Sequence, residues 1–248
     1  MAERKITFVD TTMRDGSHAV RHSFTKEQVS QIAARLDKCG VPLIELSHGD
    51  GLGGSSYTYG FSKTDEFTLM EAAAKEIKNG RLTVLLLPGI GTIADLKQAK
   101  ACGAKAVRVA THVTEADVSA EHIYAAKELD MMAVGFLMMV HTAPVERIVE
   151  EAKKMESYGA DYINLADSAG YLMPEDVKAR ITAVREAVNI PVGFHAHNNM
   201  GLAIANSLIA VQSGADFVDG TLRGLGAGAG NAQIEVLAGV MKRNGYET

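Results

Sequence analysis

The sequence predicts an α/β protein whose single domain, residues 1–248, folds as a (β/α)₈ barrel of the TIM class. Its 248 residues are close to the size of one such barrel. Short apolar runs rich in β-branched residues alternate along the chain with longer stretches of helical periodicity. There are eight such runs, spaced by about 30 residues, as expected when about 250 residues form eight βα units. The pattern therefore indicates parallel strands joined by helices.

The eight predicted strands cover residues 6–12, 43–48, 82–87, 106–112, 133–139, 162–167, 192–197 and 217–222. An open, doubly wound sheet is the alternative architecture. No dinucleotide-binding fingerprint follows the first predicted strand, and eight units of such regular spacing favour a closed barrel.

The predicted helices have recognisable ends. Thr25 and Gln28 form a capping-box pattern before a stretch with apolar residues at helical spacing, and Gly40 ends that helix. Pro174 is expected at the first position of a later helix. A Gly followed by a small or β-branched residue recurs where a helix passes into the next strand, as is typical of helix C-termini. The last predicted helix, residues 231–243, completes the eighth unit.

Composition excludes several classes of protein. A net charge of -5 argues against a nucleic-acid partner. No run of eighteen apolar residues is present, so no membrane span is predicted, and the N-terminus lacks the apolar core of a signal peptide. Cys39 and Cys102 are expected to be reduced thiols rather than a disulfide, which predicts a cytoplasmic protein.

The histidines concentrate at one end of the predicted barrel. Only His122 falls within a predicted helix, whereas the others end or follow predicted strands: His18, His22, His48, His112, His141, His195 and His197. Active sites of (β/α)₈ barrels lie at the C-terminal ends of the strands. Imidazole is a common acid–base group and metal ligand, so this end is expected to carry the chemistry.

The pair His195 and His197 gives the sharpest prediction. Side chains two residues apart on a strand point to the same side, so both imidazoles are expected to face the barrel interior. Asp15, which follows the first strand, would complete a facial triad of two histidines and a carboxylate. Such a triad binds a divalent ion; Mn²⁺, Mg²⁺, Co²⁺ and Zn²⁺ all accept these ligands.

Two residues near the triad suggest a direction for the reaction. Arg14 is placed to stabilise a developing oxyanion, and His18 is placed to act as a general base. No predicted strand carries a lysine in its C-terminal half, which argues against a Schiff-base mechanism. Polarisation of a carbonyl group is therefore expected from the metal.

Three further segments are candidates for substrate contacts. Leu85 and Leu87, at the end of the third strand, offer apolar walls, although packing in the core is the alternative. Ser168 supplies a hydroxyl after the sixth strand. The glycine-rich segment 224–231 follows the eighth strand, where barrels often bind phosphate or carboxylate, and a purely conformational role is the alternative.

The sequence resembles the metal-dependent pyruvate-aldolase and acyl-CoA lyase/synthase superfamily in its opening Asp-Thr-Thr-Met-Arg-Asp-Gly and in its His-Ala-His-Asn-Asn stretch. Within that superfamily it is similar to the 4-hydroxy-2-oxovalerate aldolase family. The similar segments run through nearly the whole chain: 15–22, 47–56, 85–91, 108–112, 135–139 and 226–231.

The resemblance implies cleavage of 4-hydroxy-2-oxopentanoate, a small 2-oxo acid, to pyruvate and acetaldehyde, with Mn²⁺ as the usual metal. It implies that Asp15, His195 and His197 bind the metal, that Arg14 steadies the enolate and that His18 is the base. Ser168 matches a serine that contacts pyruvate. Leu85 and Leu87 match residues that line the aldehyde pocket.

The resemblance also implies an acylating acetaldehyde dehydrogenase as partner. Members of the family are longer, and their C-terminal helical region carries a tyrosine proposed to transfer a proton and contacts that partner. The present sequence lacks this region, and any apolar surface so exposed would favour a homo-oligomer. A Claisen-type acyl-CoA lyase or synthase, or a metal-binding barrel without activity, are the alternative functions.

Overall fold

A computed structural model describes residues 4–247 and shows a closed barrel of eight parallel strands in sequence order. The strands are β1 Thr7–Met13, β2 Leu43–Leu46, β3 Arg81–Leu86, β4 Ala106–His112, β5 Met132–Met138, β6 Tyr162–Asp167, β7 Val192–Ala196 and β8 Phe217–Gly220. The predicted (β/α)₈ barrel is therefore confirmed, and the open sheet is excluded.

Helices alternate with the strands and form the outer layer. They are α1 Gly16–Ala19, α2 Lys26–Lys38, α3 Glu66–Glu76, α4 Ile93–Ala101, α5 Ala120–Glu128, α6 Val145–Ser157, α7 Pro174–Ala187, α8 Ala203–Gln212 and α9 Ile234–Arg243. Helix α1 is a single turn inserted in the β1–α2 connection. No helix in the described part of the chain is long and apolar enough to cross a membrane.

The predicted helix ends are largely confirmed. Thr25 and Gln28 form a reciprocal capping box at the start of α2, and Pro174 is the first residue of α7. Gly40 follows α2 with a φ of 82°, a left-handed conformation that costs glycine little. The last helix starts three residues later than predicted, at Ile234, because residues 231–233 pair with other segments near the strand ends.

Predicted strand ends are wrong by one or two residues at several positions. Strand β2 ends at Leu46, not His48, because residues 47–54 turn over the mouth of the barrel. Strand β8 ends at Gly220, and a short 3₁₀ turn at Leu222–Gly224 follows it. Apolar composition alone does not show where a run leaves the ladder of backbone hydrogen bonds.

The barrel interior has a polar layer between two apolar ones. Ala106 and Ala110 belong to separate interior clusters, and Arg108 lies between them on β4. On β6, Asn164 likewise lies between Tyr162 and Ala166. Alternate residues of a strand face the same side, so this polar layer lies beneath the mouth of the barrel. The main apolar core lies outside the barrel, against the helices.

The closing strand β8 lies between the first strand and the seventh. Residues Thr7–Asp10 of β1 pair with 217–220 of β8, and Gly193 and Phe194 of β7 pair with its other edge. Segments that follow β1 and segments that end β7 therefore meet above β8, although they are far apart in sequence.

Candidate active site

The predicted metal ligands come together at the C-terminal end of the barrel. Asp15 immediately precedes α1, His195 is the fourth residue of β7, and His197 directly follows that strand. All three side chains are largely buried. Their ligand atoms lie within 4.8 Å of one another. The structure thus brings together residues that are 180 positions apart in the sequence.

The distances within this cluster are short. Asp15 Oδ2 lies 3.1 Å from His195 Nε2 and 3.5 Å from His197 Nε2. The two Nε2 atoms are 3.4 Å apart. Tetrahedral metal sites with bonds of about 2.0–2.1 Å place their ligands about 3.4 Å apart. The three atoms therefore already have the spacing of a coordination sphere.

Hydrogen bonds orient two of the ligands. His195 Nδ1 lies 2.7 Å from Asp219 Oδ2, which directs Nε2 towards Asp15. Metal-bound histidines usually donate their second N–H to a carboxylate in this manner. The backbone N–H of Ala227 donates to Asp15 Oδ1 at 3.1 Å, so the glycine-rich segment contributes through its main chain.

The charges of the cluster suit a cation. Although burial raises the pKa of Asp15, the charges of Arg14 and the two histidines hold it well below its usual range. Burial lowers the pKa of His197 to about 4, with a further contribution from the charge of His195. At neutral pH Asp15 is therefore a carboxylate and His197 a neutral imidazole, the forms that bind metals. Although burial lowers the pKa of His195, its hydrogen bonds to Asp15 and Asp219 raise it overall, so a metal ion must displace a proton from this ring.

Asn231 provides an additional polar group at the same point. Its side-chain nitrogen lies 3.0 Å from Asp15 Oδ2 and 3.1 Å from His195 Nε2. Its amide oxygen is buried and has no hydrogen-bond partner among the described residues. The donor set of one carboxylate and two imidazoles, with an unpaired amide oxygen beside it, fits a divalent ion.

Arg14 is held rigidly beside the cluster. Its Nε donates to Glu45 Oε2 at 2.7 Å, and its Nη1 lies 3.4 Å from Asp15 Oδ2. Arg108 binds the other oxygen of Glu45 at 3.3 Å and also pairs with Asp219. Arg14, Glu45, Arg108 and Asp219 therefore form a continuous buried chain of charges that ends at His195.

Replacing Arg108 with methionine is expected to destabilise the fold by about 3–5 kcal/mol, because Glu45 and Asp219 would lose a buried cationic partner. The free energy of unfolding in urea measures this effect. Arg35→Met is the matched control: Arg35 is exposed on α2, and its replacement should change stability by less than about 0.5 kcal/mol. Equal stability of the two variants would show that the charge chain is not required for the fold.

His18 lies on the part of the mouth that is formed by the segments following β1 and β2. It lies in α1 and lines the cavity together with Gly49. Its position in a helical turn corrects the expectation that only His122 is helical. A Cβ atom at Gly49 would lie 2.5 Å from Cε1 and Nε2 of His18, so the imidazole occupies space that only glycine leaves free.

A small cavity of about 160 Å³ connects these groups. The pockets of drug-sized ligands are about 300–1,000 Å³, so this volume suits a much smaller molecule. All eight site residues predicted from the sequence line it: Arg14, Asp15, His18, Leu85, Leu87, Ser168, His195 and His197. No lysine is among the described residues that line it.

The apolar part of the wall is formed mainly by β3 and β5. Leu85 and Leu87 lie beside Phe136 and Met138 in one cluster. Ser168 also reaches the cavity, where its Oγ accepts a hydrogen bond from the backbone N–H of Met139 at 3.0 Å. The cavity therefore has a polar side, with the triad and Arg14, and an apolar side.

Sequence reasoning missed the residues that support the triad. Glu45, Arg108 and Asp219 lie in the middle of strands, where nothing in the local sequence shows which partner each one meets. A charged residue within an otherwise apolar strand was the available signal, because charges are rarely buried without partners. His112 and His141 lie near the strand ends as predicted but do not line the cavity.

A closed barrel that gathers a carboxylate, imidazoles and a guanidinium at the C-terminal ends of its strands has the construction of a barrel enzyme. The HMGL-like family matches residues 5–248. A 4-hydroxy-2-oxovalerate aldolase of Moorella thermoacetica is 64% identical over 248 residues, which are all of this chain and 73% of the relative. Another, of Carboxydothermus hydrogenoformans, is 59% identical over 245 residues, with 73% of the relative covered.

The chain belongs to the HMGL-like family and, within it, to the 4-hydroxy-2-oxovalerate aldolases, and is thus a carbon–carbon lyase. The predicted family is confirmed. The carboxyl transferase domain of Rhizobium etli pyruvate carboxylase, solved with 3-hydroxypyruvate, superimposes with a TM-score of 0.82. It is 23% identical, and the match covers 97% of this chain and 43% of that one, so it supports the barrel fold alone.

Proposed function

We propose that this enzyme cleaves 4-hydroxy-2-oxopentanoate to pyruvate and acetaldehyde, reversibly and with a divalent metal ion, Mn²⁺ in the first instance and Mg²⁺ or Co²⁺ as substitutes. The observation that carries the proposal is the meeting of Asp15, His195 and His197 beside Arg14 in one small cavity. The names of the similar aldolases support the substrate.

The two sides of the cavity match the two halves of this substrate. The polar side, with the triad, Arg14 and Ser168, suits the carboxylate and keto oxygens that become pyruvate. The apolar side, with Leu85 and Leu87, suits the methyl end that leaves as acetaldehyde. When bound by the triad, the metal would act as a Lewis acid on the keto group.

Two residues of the chain then transfer the proton and stabilise the negative charge of the enolate. His18 removes the proton of the 4-hydroxyl group. The electrons of that O–H bond form the carbonyl of acetaldehyde as the C3–C4 bond breaks. The electron pair of that bond moves onto the pyruvate fragment as an enolate. Arg14 stabilises the negative oxygen, since Glu45 holds its guanidinium in place before the reaction begins. The enolate then takes a proton at C3, from water or from a histidine at the mouth of the barrel, and becomes pyruvate.

A coupled assay tests the proposal. The protein is stripped of metal, and pyruvate and acetaldehyde release from 4-hydroxy-2-oxopentanoate is followed with and without added Mn²⁺. We expect turnover with Mn²⁺ and its loss after a chelator is added. Turnover of an acyl-CoA substrate instead would identify a Claisen-type lyase or synthase. Metal binding without turnover of either substrate would identify an inactive barrel.

Replacing Gly49 with alanine is expected to lower kcat/KM by about 10²-fold, because the new methyl group would displace the His18 imidazole from its position. The affinity of the triad for Mn²⁺ should be unchanged, since His18 is not one of its three residues. Gly239→Ala is the control, because a Cβ there meets no atom within 4 Å. Unchanged turnover in Gly49→Ala would argue that His18 is not the base.

Two further assignments follow from the same proposal. Acetaldehyde is a reactive product, and the resemblance supports an acylating acetaldehyde dehydrogenase as the partner that consumes it. Cys39 and Cys102 are free thiols, which supports a reducing compartment such as the cytoplasm. Sedimentation of the protein with and without such a dehydrogenase tests the partnership and also shows whether the chain forms a homo-oligomer.

A further inference from the structure

A second group of metal-binding side chains lies at the mouth of the cavity. His18, His22 and Asp50 each offer a ligand atom, and these atoms lie within 4.8 Å of one another. None of the three belongs to the first triad. His18 and Asp50 line the cavity, whereas His22 does not.

His22 is held in place by an unusual backbone turn. Arg21 and His22 both have left-handed φ angles, 52° and 53°, although neither is glycine. Consecutive non-glycine residues in this conformation cost free energy and often mark functional sites. The turn brings the His22 ring back onto α1, where the backbone N–H of His22 donates to the carbonyl of Ser17 at 2.8 Å.

A hydrogen bond fixes the free lone pair of His22. The Ser17 hydroxyl donates to the carbonyl of Arg14 at 2.6 Å, so it accepts a bond from His22 Nδ1–H at 3.0 Å. His22 Nε2 is therefore the ring atom that can bind a metal. Ser17 is thus the hydrogen-bond acceptor that a metal-bound histidine usually has at its second ring nitrogen.

His48, which is not one of the three ligands, holds His22 and Asp50 in position. Its ring stacks on that of His22 with centroids 3.8 Å apart. Its Nδ1 accepts a hydrogen bond from the backbone N–H of Asp50 at 3.1 Å, and its Nε2–H donates to the carbonyl of Gly60 at 3.0 Å. These contacts fix both the loop that carries Asp50 and the plane of the His22 ring.

We propose that His18, His22 and Asp50 form a second metal site, for a transition-metal ion that prefers nitrogen ligands, such as Zn²⁺, and that its occupation inhibits the enzyme. Two imidazoles and one carboxylate suit zinc, with water from the open mouth as the fourth ligand. Zinc ligands lie about 3.4 Å apart, so rotations of the side chains would bring these atoms, now within 4.8 Å, into position.

Inhibition follows because the ion takes up the imidazole that the reaction needs. This part of the inference rests on the proposed role of His18 as the base. Metal binding at the second site does not depend on that role, so binding and activity are measured separately.

Calorimetric titration of the metal-free protein with Zn²⁺ tests the site directly. We expect two equivalents to bind to the unaltered protein. Asparagine tolerates the left-handed backbone at position 22. His22→Asn should therefore lower the affinity for the second equivalent by at least about tenfold, because one of three ligands is lost, and leave the affinity for the first unchanged. Asp50→Asn should act likewise. His195→Ala should instead lose the first equivalent and keep the second.

His112→Asn is the matched control, because His112 ends β4 outside both clusters, and this variant should bind two equivalents. A single equivalent in the unaltered protein would overturn the proposal, as would a second equivalent that both His22→Asn and Asp50→Asn retain at full affinity. In the presence of saturating Mn²⁺, excess Zn²⁺ should inhibit turnover, and His22→Asn should need at least about tenfold more Zn²⁺ for the same inhibition. Two binding equivalents without inhibition would keep the site and overturn its effect on the base.

Discussion

The variant His195→Ala is expected to bind the divalent ion more than about 100-fold more weakly and to lose turnover. In the proposed metal site His195 supplies one of three ligand atoms, and its Nε2 lies 3.1 Å from Asp15 Oδ2. Loss of a residue that only orients a ligand commonly costs about 10–100-fold in metal affinity, so loss of a ligand itself should cost more. Titration of the metal-free protein with Mn²⁺, together with the aldolase assay, measures both effects.

Two further variants calibrate this result. Asp219→Asn removes the charge that orients His195 Nδ1, and the intermediate loss of about 10–100-fold is expected for it. His112→Ala changes a histidine at the same end of the barrel that does not line the cavity, and it should behave as the unaltered protein. If His195→Ala kept both metal affinity and activity, the triad would be misassigned.

The variant Arg14→Lys is expected to lower turnover by about 10²–10³-fold, the usual effect of removing one oxyanion donor. Lysine lacks the planar fork that lets Arg14 bind Glu45 through Nε while Nη1 lies beside Asp15. The positive charge remains, so metal affinity should change much less than turnover. Steady-state kinetics and Mn²⁺ titration on the same preparation separate the two quantities.

Arg21→Lys is the control for this substitution, because Arg21 is an exposed arginine close in sequence. Its replacement should leave both turnover and metal affinity unchanged. Equal losses of turnover and metal affinity in Arg14→Lys would mean that Arg14 organises the metal ligands and has no separate role in the reaction.

The fold could be predicted well because its determinants are local. The capping box at Thr25 and the glycine after α2 act within a few residues of their own position, and such signals can be read in the sequence. Strand ends were less accurate, as β2 shows. Whether residues 47 and 48 continue the strand depends on contacts with the loop above them, and these contacts are long-range.

The residues of the candidate site likewise include some that could be predicted from the sequence and others that depend on long-range contacts. The pairing of His195 with His197 could be predicted from the sequence, because the two-residue period of a strand fixes their common orientation. The pairing of Arg14 with Glu45, 31 residues away, could not be predicted, because it depends on how the segments that carry them approach in space. The second cluster was missed for a related reason: the turn that directs His22 towards His18 and Asp50 is a backbone conformation that the residue types do not require.

The position of the triad on both sides of β8 has a consequence for how the protein is made. Asp15 is synthesised early, but its partners on β7 emerge 180 residues later, and Asn231 later still. Chains fold from the N-terminus during synthesis, and the two parts of the site meet only when the barrel closes. A growing chain therefore offers no complete site in which to trap a metal ion. An ion bound by the triad of the closed barrel would add to its stability, since ligands of the folded state shift the folding equilibrium.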